Sequence, residues 1–158
     1  MKNNHMRLEF KSCAENERFA RQVAAAFVAE LNPTLDEICD IKTAISEAVT
    51  NAIIHGYQNQ DGIVTLSANY IGNTVEISVE DKGIGIDDVD RAREPLYTSQ
   101  PELERSGMGF TVMESFMDFV DVVSVPGEGT KVIMRKTIAK DGEKMAGAGK
   151  TIGMTIGE

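Results

Sequence analysis

The stretch from Thr34 to Gly56 constrains this chain more than any other. It opens with Thr34-Leu35-Asp36-Glu37, a capping box in which the threonine hydroxyl covers a free amide and the glutamate reaches back. Behind it Leu35, Ile38, Ile41, Ile45, Ala48 and Val49 recur at helical spacing and supply a buried side, and Gly56 is a good stop. Glu47, Asn51 and His55 recur at every fourth residue of the same run. Each such step advances about 40° round a helix axis, so the three polar groups span a stripe about 80° wide. Ala48, Val49, Ala52, Ile53 and Ile54 lie between them. A helix of this kind suits the floor of a polar pocket.

The segments on either side fit around it. Met6, Leu8 and Phe10 alternate with Arg7, Glu9 and Lys11, the period of a half-buried strand. Ser12 to Glu15 reads as a second capping box, with Ser12 as the N-cap. The helix it opens is expected to bury Phe19, Val23, Phe27 and Leu31 and to expose the i,i+4 pair Glu17 and Arg21. Asn32-Pro33 ends it. Ile63–Tyr70 and Thr74–Glu80 read as strands joined in a hairpin at Ile71-Gly72-Asn73. The apolar period then stops. Asp87 to Arg105 is charged, holds Pro95 and Pro101, and reads as a lid or binding loop. A helix is expected over Phe110–Met117, with Phe110, Met113, Phe116 and Met117 inward, followed by strands over Val120–Val125 and Thr130–Thr137.

Residues 1–137 therefore make one domain, and the glycine-rich stretch 138–158 is expected to be a mobile tail. Gly149-Lys150-Thr151 is not a phosphate loop, because Lys144 stands where the earlier glycine belongs. A net charge of −9 argues against direct nucleic-acid binding, which depends on neutralising phosphate. No apolar run approaches the ~20 residues that span a bilayer, and MKNNHMRLEF lacks the apolar stretch of a secretory signal. A cytoplasmic protein without membrane contact is expected. Cys13 and Cys39 have neither metal-site nor disulfide spacing.

Four local signals stand in one order: the Glu47/Asn51/His55 stripe, Asp81-x-Gly-x-Gly, Gly107-x-Gly opening a helix, and Gly127-x-Gly-Thr130 before a strand. Each alone has an ordinary explanation as a turn or helix entry. Together they resemble the nucleotide-binding fold shared by gyrase-type topoisomerases, heat-shock 90 chaperones, histidine kinases and mismatch-repair ATPases, over roughly residues 8–137. SEAVTNAIIHGY, TSQPELERSGMGFTVMESFMD and PGEGT are similar, more narrowly, to the small anti-sigma-factor serine kinases, most closely those of the sporulation sigma factor, sigma F.

The resemblance implies a Bergerat-type α/β (α+β) fold: a two-layer sandwich whose mixed, mainly antiparallel sheet carries helices on one face. It implies ATP or ADP with Mg²⁺ as the ligands. Asn51 would offer its amide oxygen to the Mg²⁺. Asp81 would accept from the adenine amino group, with Gly83 and Gly85 letting backbone approach the base. Ser106, Gly107, Met108 and Gly109 would cradle phosphate at a helix N-terminus, and Arg105 would neutralise charge on the transferring phosphoryl group. Thr130 would place a hydroxyl near the adenine. Glu47 would be the general base. His55 either lines the pocket or only terminates the helix.

The implied activity is that of an ATP-dependent serine kinase whose dimer sequesters sigma F and whose substrate is an anti-anti-sigma protein. Glu17 and Arg21 on the first helix are the candidate partner surface. Two alternatives are a switch kinase for a general-stress sigma factor and a non-catalytic, nucleotide-gated binding module.

Overall fold

The computed structural model describes residues 1–95 and 109–140. The strands are β1 (Asn3–Lys11), β2 (Ile63–Ile71), β3 (Thr74–Asp81), β4 (Phe119–Val125) and β5 (Gly129–Thr137). They form one sheet in the order β1-β2-β3-β5-β4, and its four ladders are all antiparallel. The helices are α1 (Ala14–Val28), α2 (Leu35–Asn51), the short α3 (Val89–Ala92) and α4 (Gly109–Phe116). This is the expected two-layer sandwich.

Strand alternation decides which side chains meet the helices. On β2 the inward set is Val64, Leu66, Ala68 and Tyr70, and on β3 it is Val75, Ile77 and Val79, all buried. Asp81 falls on the same phase, so the pleat carries a carboxylate onto the helix-covered face, where it is 5% exposed. On β5 the same phase brings Thr130 inward ahead of Val132 and Met134.

α2 starts as its sequence requires. Thr34 Oγ1 accepts from the Glu37 amide at 3.1 Å, and the Thr34 amide donates to Glu37 Oε1 at 2.8 Å. Such a cap is worth about 1 kcal/mol. Ile41, Ile45 and Val49 are fully buried, at ~1.5–3 kcal/mol each, so packing rather than capping holds the helix down. Leu35, expected inward, is 83% exposed, because the first residue of the helix lies beyond the sheet's cover. After Asn51 the helix widens into a π turn over Ala52–Gly56, closed by the Tyr57 amide donating to the Ala52 carbonyl at 2.9 Å.

α1 differs from expectation in its phase and its cap. Its buried row is Ala20, Ala24, Val28 and then Leu31, while Phe19 is 53% exposed and Phe27 is half-buried against Tyr70. The buried row sits one residue, about 100°, round from the bulky one. Small side chains let α1 lie close on α2. Its N-cap is Cys13, which makes no side-chain cap bond. Ser12 instead donates from Oγ to the Gln60 carbonyl at 2.9 Å, tying the end of β1 to the turn before β2.

Ordered packing also reaches past Thr137. Ile138 is fully buried and donates to the Asn73 carbonyl, and the Ala139 amide donates to Glu37 Oε2 at 2.8 Å. The rest of the glycine-rich stretch, from 141, lies outside the described residues.

Candidate functional site

A cleft of about 340 Å³ opens between α2 and the sheet end that carries Asp81 and Thr130. Ala48, Asn51, Ala52, His55 and Gly56 line it from the helix side, and Val79, Asp81, Thr130 and Val132 from the sheet. The loop Ile84–Asp88 with Arg91 and Ala92 forms a third wall, and Gly109 and Phe110 close the far end. Four-residue spacing thus places Asn51 and His55 together on the cleft, and His55 does line it.

Asp81 is the most constrained polar group. The Gly83 amide donates to its Oδ1 at 2.9 Å, and the Thr130 amide donates to the same carboxylate. Burial pushes its pKa above the ordinary aspartate value, and those two N–H groups pull part of the way back. A carboxylate held this way has lone pairs left for a donor in the cleft. Space for it exists because residue 56 is glycine: a Cβ there would lie 2.6 Å from the Asp81 carboxyl carbon. Gly83, by contrast, does not line the cleft. Its missing side chain is filled by the Gly56 carbonyl, which also accepts from the Ile84 amide at 3.0 Å. Gly85 is on the wall.

At the other end α4 begins against α2. A Cβ on Gly109 would sit 3.3 Å from Glu47 Oε2 and 3.4 Å from both amide atoms of Asn51. A carboxylate and a side-chain amide therefore flank Gly109, the first described residue of α4. Arg105, Ser106, Gly107 and Met108 lie outside the described residues.

Glu17 and Arg21 are not freely exposed. Their side chains are 22% and 33% accessible, 3.7 Å apart, and Arg21 Nη1 donates to Ser46 Oγ at 3.3 Å. The pair lies on the α1–α2 seam, one residue from Glu47.

Sequence reading missed two groups that shape the cleft. Tyr57 Oη donates to the Ile63 carbonyl at 2.6 Å and accepts from the Lys82 amide at 2.7 Å, pinning the loop after Asp81. Ser124 Oγ accepts from the Ile86 amide at 2.7 Å and lies 2.8 Å from Thr130 Oγ1. Its period-two phase on β4 was the available signal.

Comparison with known proteins agrees with the geometry. Residues 10–136 match the histidine kinase-like ATPase domain. The chain is 61% identical over 137 residues to the anti-sigma F factor of Clostridium beijerinckii, covering 86% of this chain and 96% of that one. It is 58% identical over 139 residues to that of Clostridium acetobutylicum, covering 88% and 97%. Among solved structures it is similar to the RsbU and RsbW domains of Rv1364c from Mycobacterium tuberculosis, with a TM-score of 0.62 at 20% identity. That match covers 87% of this chain and 33% of the other. The catalytic domain of histidine kinase ThkA aligns at a TM-score of 0.50 and 16% identity, covering 84% and 96%, a likeness of fold alone. With an ATPase-domain match over most of its length and anti-sigma relatives along nearly their whole length, the chain belongs to the histidine kinase-like ATPase domain family and, within it, to the anti-sigma F factors.

Proposed function

We propose that this protein binds ATP in the cleft, sequesters sigma F as a cytoplasmic homodimer in an ATP-dependent manner, and phosphorylates a serine of an anti-anti-sigma partner, so controlling sporulation transcription. The observation that carries the reading is the division of the cleft. A buried acceptor, Asp81, stands at one end, and Glu47 with Asn51 converges on the start of α4 at the other. The first suits a purine amino group, the second a phosphate chain.

Glu47 takes the proton of the acceptor serine. The serine oxygen then bonds to the γ-phosphorus as the bond to the β-phosphate bridging oxygen breaks, and ADP leaves. Positioned bases of this kind contribute ~10²–10⁴-fold. Asn51, which lines the cleft beside Gly109, would offer its side-chain amide oxygen to a Mg²⁺ bound with the phosphates, since that ion favours oxygen ligands. The ion would supply charge neutralisation along the phosphates. In this reading Arg105 would neutralise charge on the transferring phosphoryl group, and Ser106, Gly107, Met108 and Gly109 would serve the phosphate chain. Glu17 and Arg21 contribute to the partner surface from the α1–α2 seam.

Incubation with γ-labelled ATP and the anti-anti-sigma protein tests the proposal. Label should pass to one serine, and Glu47→Ala should abolish transfer while ATP and sigma F binding persist. Undiminished transfer by that variant removes Glu47 from the mechanism. ATP-dependent sigma binding with no transfer by the unaltered protein reduces it to a nucleotide-gated binding module.

A further inference from the structure

We infer that Ser124 is a specificity-determining residue that fixes the hydrogen-bonding polarity of the Asp81 end of the cleft, selecting a 6-amino over a 6-oxo purine. The inference rests on reading the cleft as a nucleotide site.

Asp81, Thr130 and Ser124 are register partners across β3, β5 and β4, forming one polar row at the end of the sheet. The next row on the same phase is Val79, Val132 and Val122, all buried. Ser124 Oγ makes three contacts: the Ile86 amide at 2.7 Å, the Gly129 carbonyl at 3.1 Å and Thr130 Oγ1 at 2.8 Å. A serine hydroxyl has one proton and two acceptor positions.

The Ile86 amide can only donate and the Gly129 carbonyl can only accept. Ser124 therefore gives its proton to Gly129 and one lone pair to Ile86. Its last lone pair must take the proton of Thr130. Any assignment in which Ser124 donates to Thr130 leaves the carbonyl contact without a proton. The Thr130 hydroxyl, which lines the cleft, is left with lone pairs alone. The Asp81 carboxylate beside it, already accepting from the Gly83 and Thr130 amides, also offers lone pairs. Two acceptors facing the ligand match an exocyclic amino group. The amino group has a hydrogen for each of them, whereas a 6-oxo purine sets its carbonyl oxygen against these acceptors and can answer with only its single ring N–H.

Calorimetric binding of ATP and of inosine triphosphate, both with Mg²⁺, tests this on the full chain. The unaltered protein should prefer ATP. In Ser124→Ala the Thr130 proton is released to turn toward the ligand, so the ratio of the two dissociation constants should fall by about three- to tenfold. Ser124→Thr, which keeps the hydroxyl, should retain the original ratio. Equal weakening of both nucleotides in Ser124→Ala overturns the inference, since Ser124 would then only prop the Ile86 loop. An unaltered protein that binds the two alike overturns it as well. Binding of neither nucleotide by the unaltered protein refutes the nucleotide reading itself. Should Ser124→Ala not fold, Ser124→Cys, with similar shape and a weakly accepting sulfur, gives the same comparison.

Discussion

Asp81→Asn separates what the cleft needs from what the fold needs. The replacement keeps the shape of a side chain that is 5% exposed and removes its charge. Folding raises the Asp81 pKa, so the native state holds the proton more tightly than the unfolded chain. Stability therefore falls as pH rises from the unfolded value through the folded one, and stays lowered above it. Each unit of the shift corresponds to about 1.4 kcal/mol. The asparagine variant escapes that loss but gives up a charge-assisted bond from the Gly83 or Thr130 amide, worth roughly 1.5–3 kcal/mol. In urea unfolding without ligand, the variant should therefore gain on the unaltered protein as pH rises from 4 to 7. ATP affinity should move the other way. Whichever backbone N–H keeps the remaining oxygen, the asparagine puts NH₂ in place of an acceptor at the cleft, donor facing donor, and affinity should fall by ten- to a hundredfold, on the order of a lost charge-assisted bond. A pH-independent stability difference would refute the burial argument, and unchanged ATP affinity would remove Asp81 from the base end.

Other substitutions probe the remaining contacts. Gly56→Ala drives a Cβ to 2.6 Å from the Asp81 carboxyl carbon, so it should destabilise by ~1–3 kcal/mol in thermal unfolding and weaken ATP binding in the same variant. Gly109→Ala meets Glu47 Oε2 at 3.3 Å; phosphoryl transfer should drop while the melting temperature moves little, and intact transfer would argue against this end of the cleft as the reacting end. Arg21→Glu sets a second carboxylate beside Glu17 and Ser46; a pull-down should show weaker sigma F binding at unchanged ATP affinity, and normal binding would take the seam out of the partner surface. Thr34→Ala should cost about 1 kcal/mol in urea unfolding, with ATP affinity unaltered.

How much could be read from the residues depended on how local the cause was. α2 was legible because its cap, its apolar period and its polar stripe all lie within Thr34–Gly56. The β2–β3 hairpin was legible for the same reason, and Asp81 came with it as the residue after an alternating run. α1 was read one residue out of phase. It carries two candidate rows, a bulky one through Phe19 and Phe27 and a small one through Ala20 and Ala24, and only the close approach of α2 selects the small one. Gly83 looked like a place for a ligand, yet its neighbour is the Gly56 carbonyl, some 27 positions earlier in the chain and invisible to local pattern. Ser124 drew no notice because a serine near a strand end is ordinary. Its meaning arises from Ile86, Gly129 and Thr130 meeting around one hydroxyl.

The placement of these groups lets a small domain tolerate a polar cleft against its core. An isolated buried carboxylate costs several kcal/mol, and a buried hydroxyl without partners costs ~1–3 kcal/mol. Here the sheet's polar groups on the cleft are confined to its last row, where Asp81 is met by the Gly83 and Thr130 amides, Ser124 by the Ile86 amide and the Gly129 carbonyl, and the Thr130 hydroxyl by Ser124. One row further in, Val79, Val132 and Val122 restore an apolar interior. The backbone bonds that make the row tolerable also fix which lone pairs remain, so the cleft is organised before any ligand arrives. Loosening those bonds should therefore blur discrimination among ligands before it unfolds the domain, because the apolar rows beneath do not depend on them.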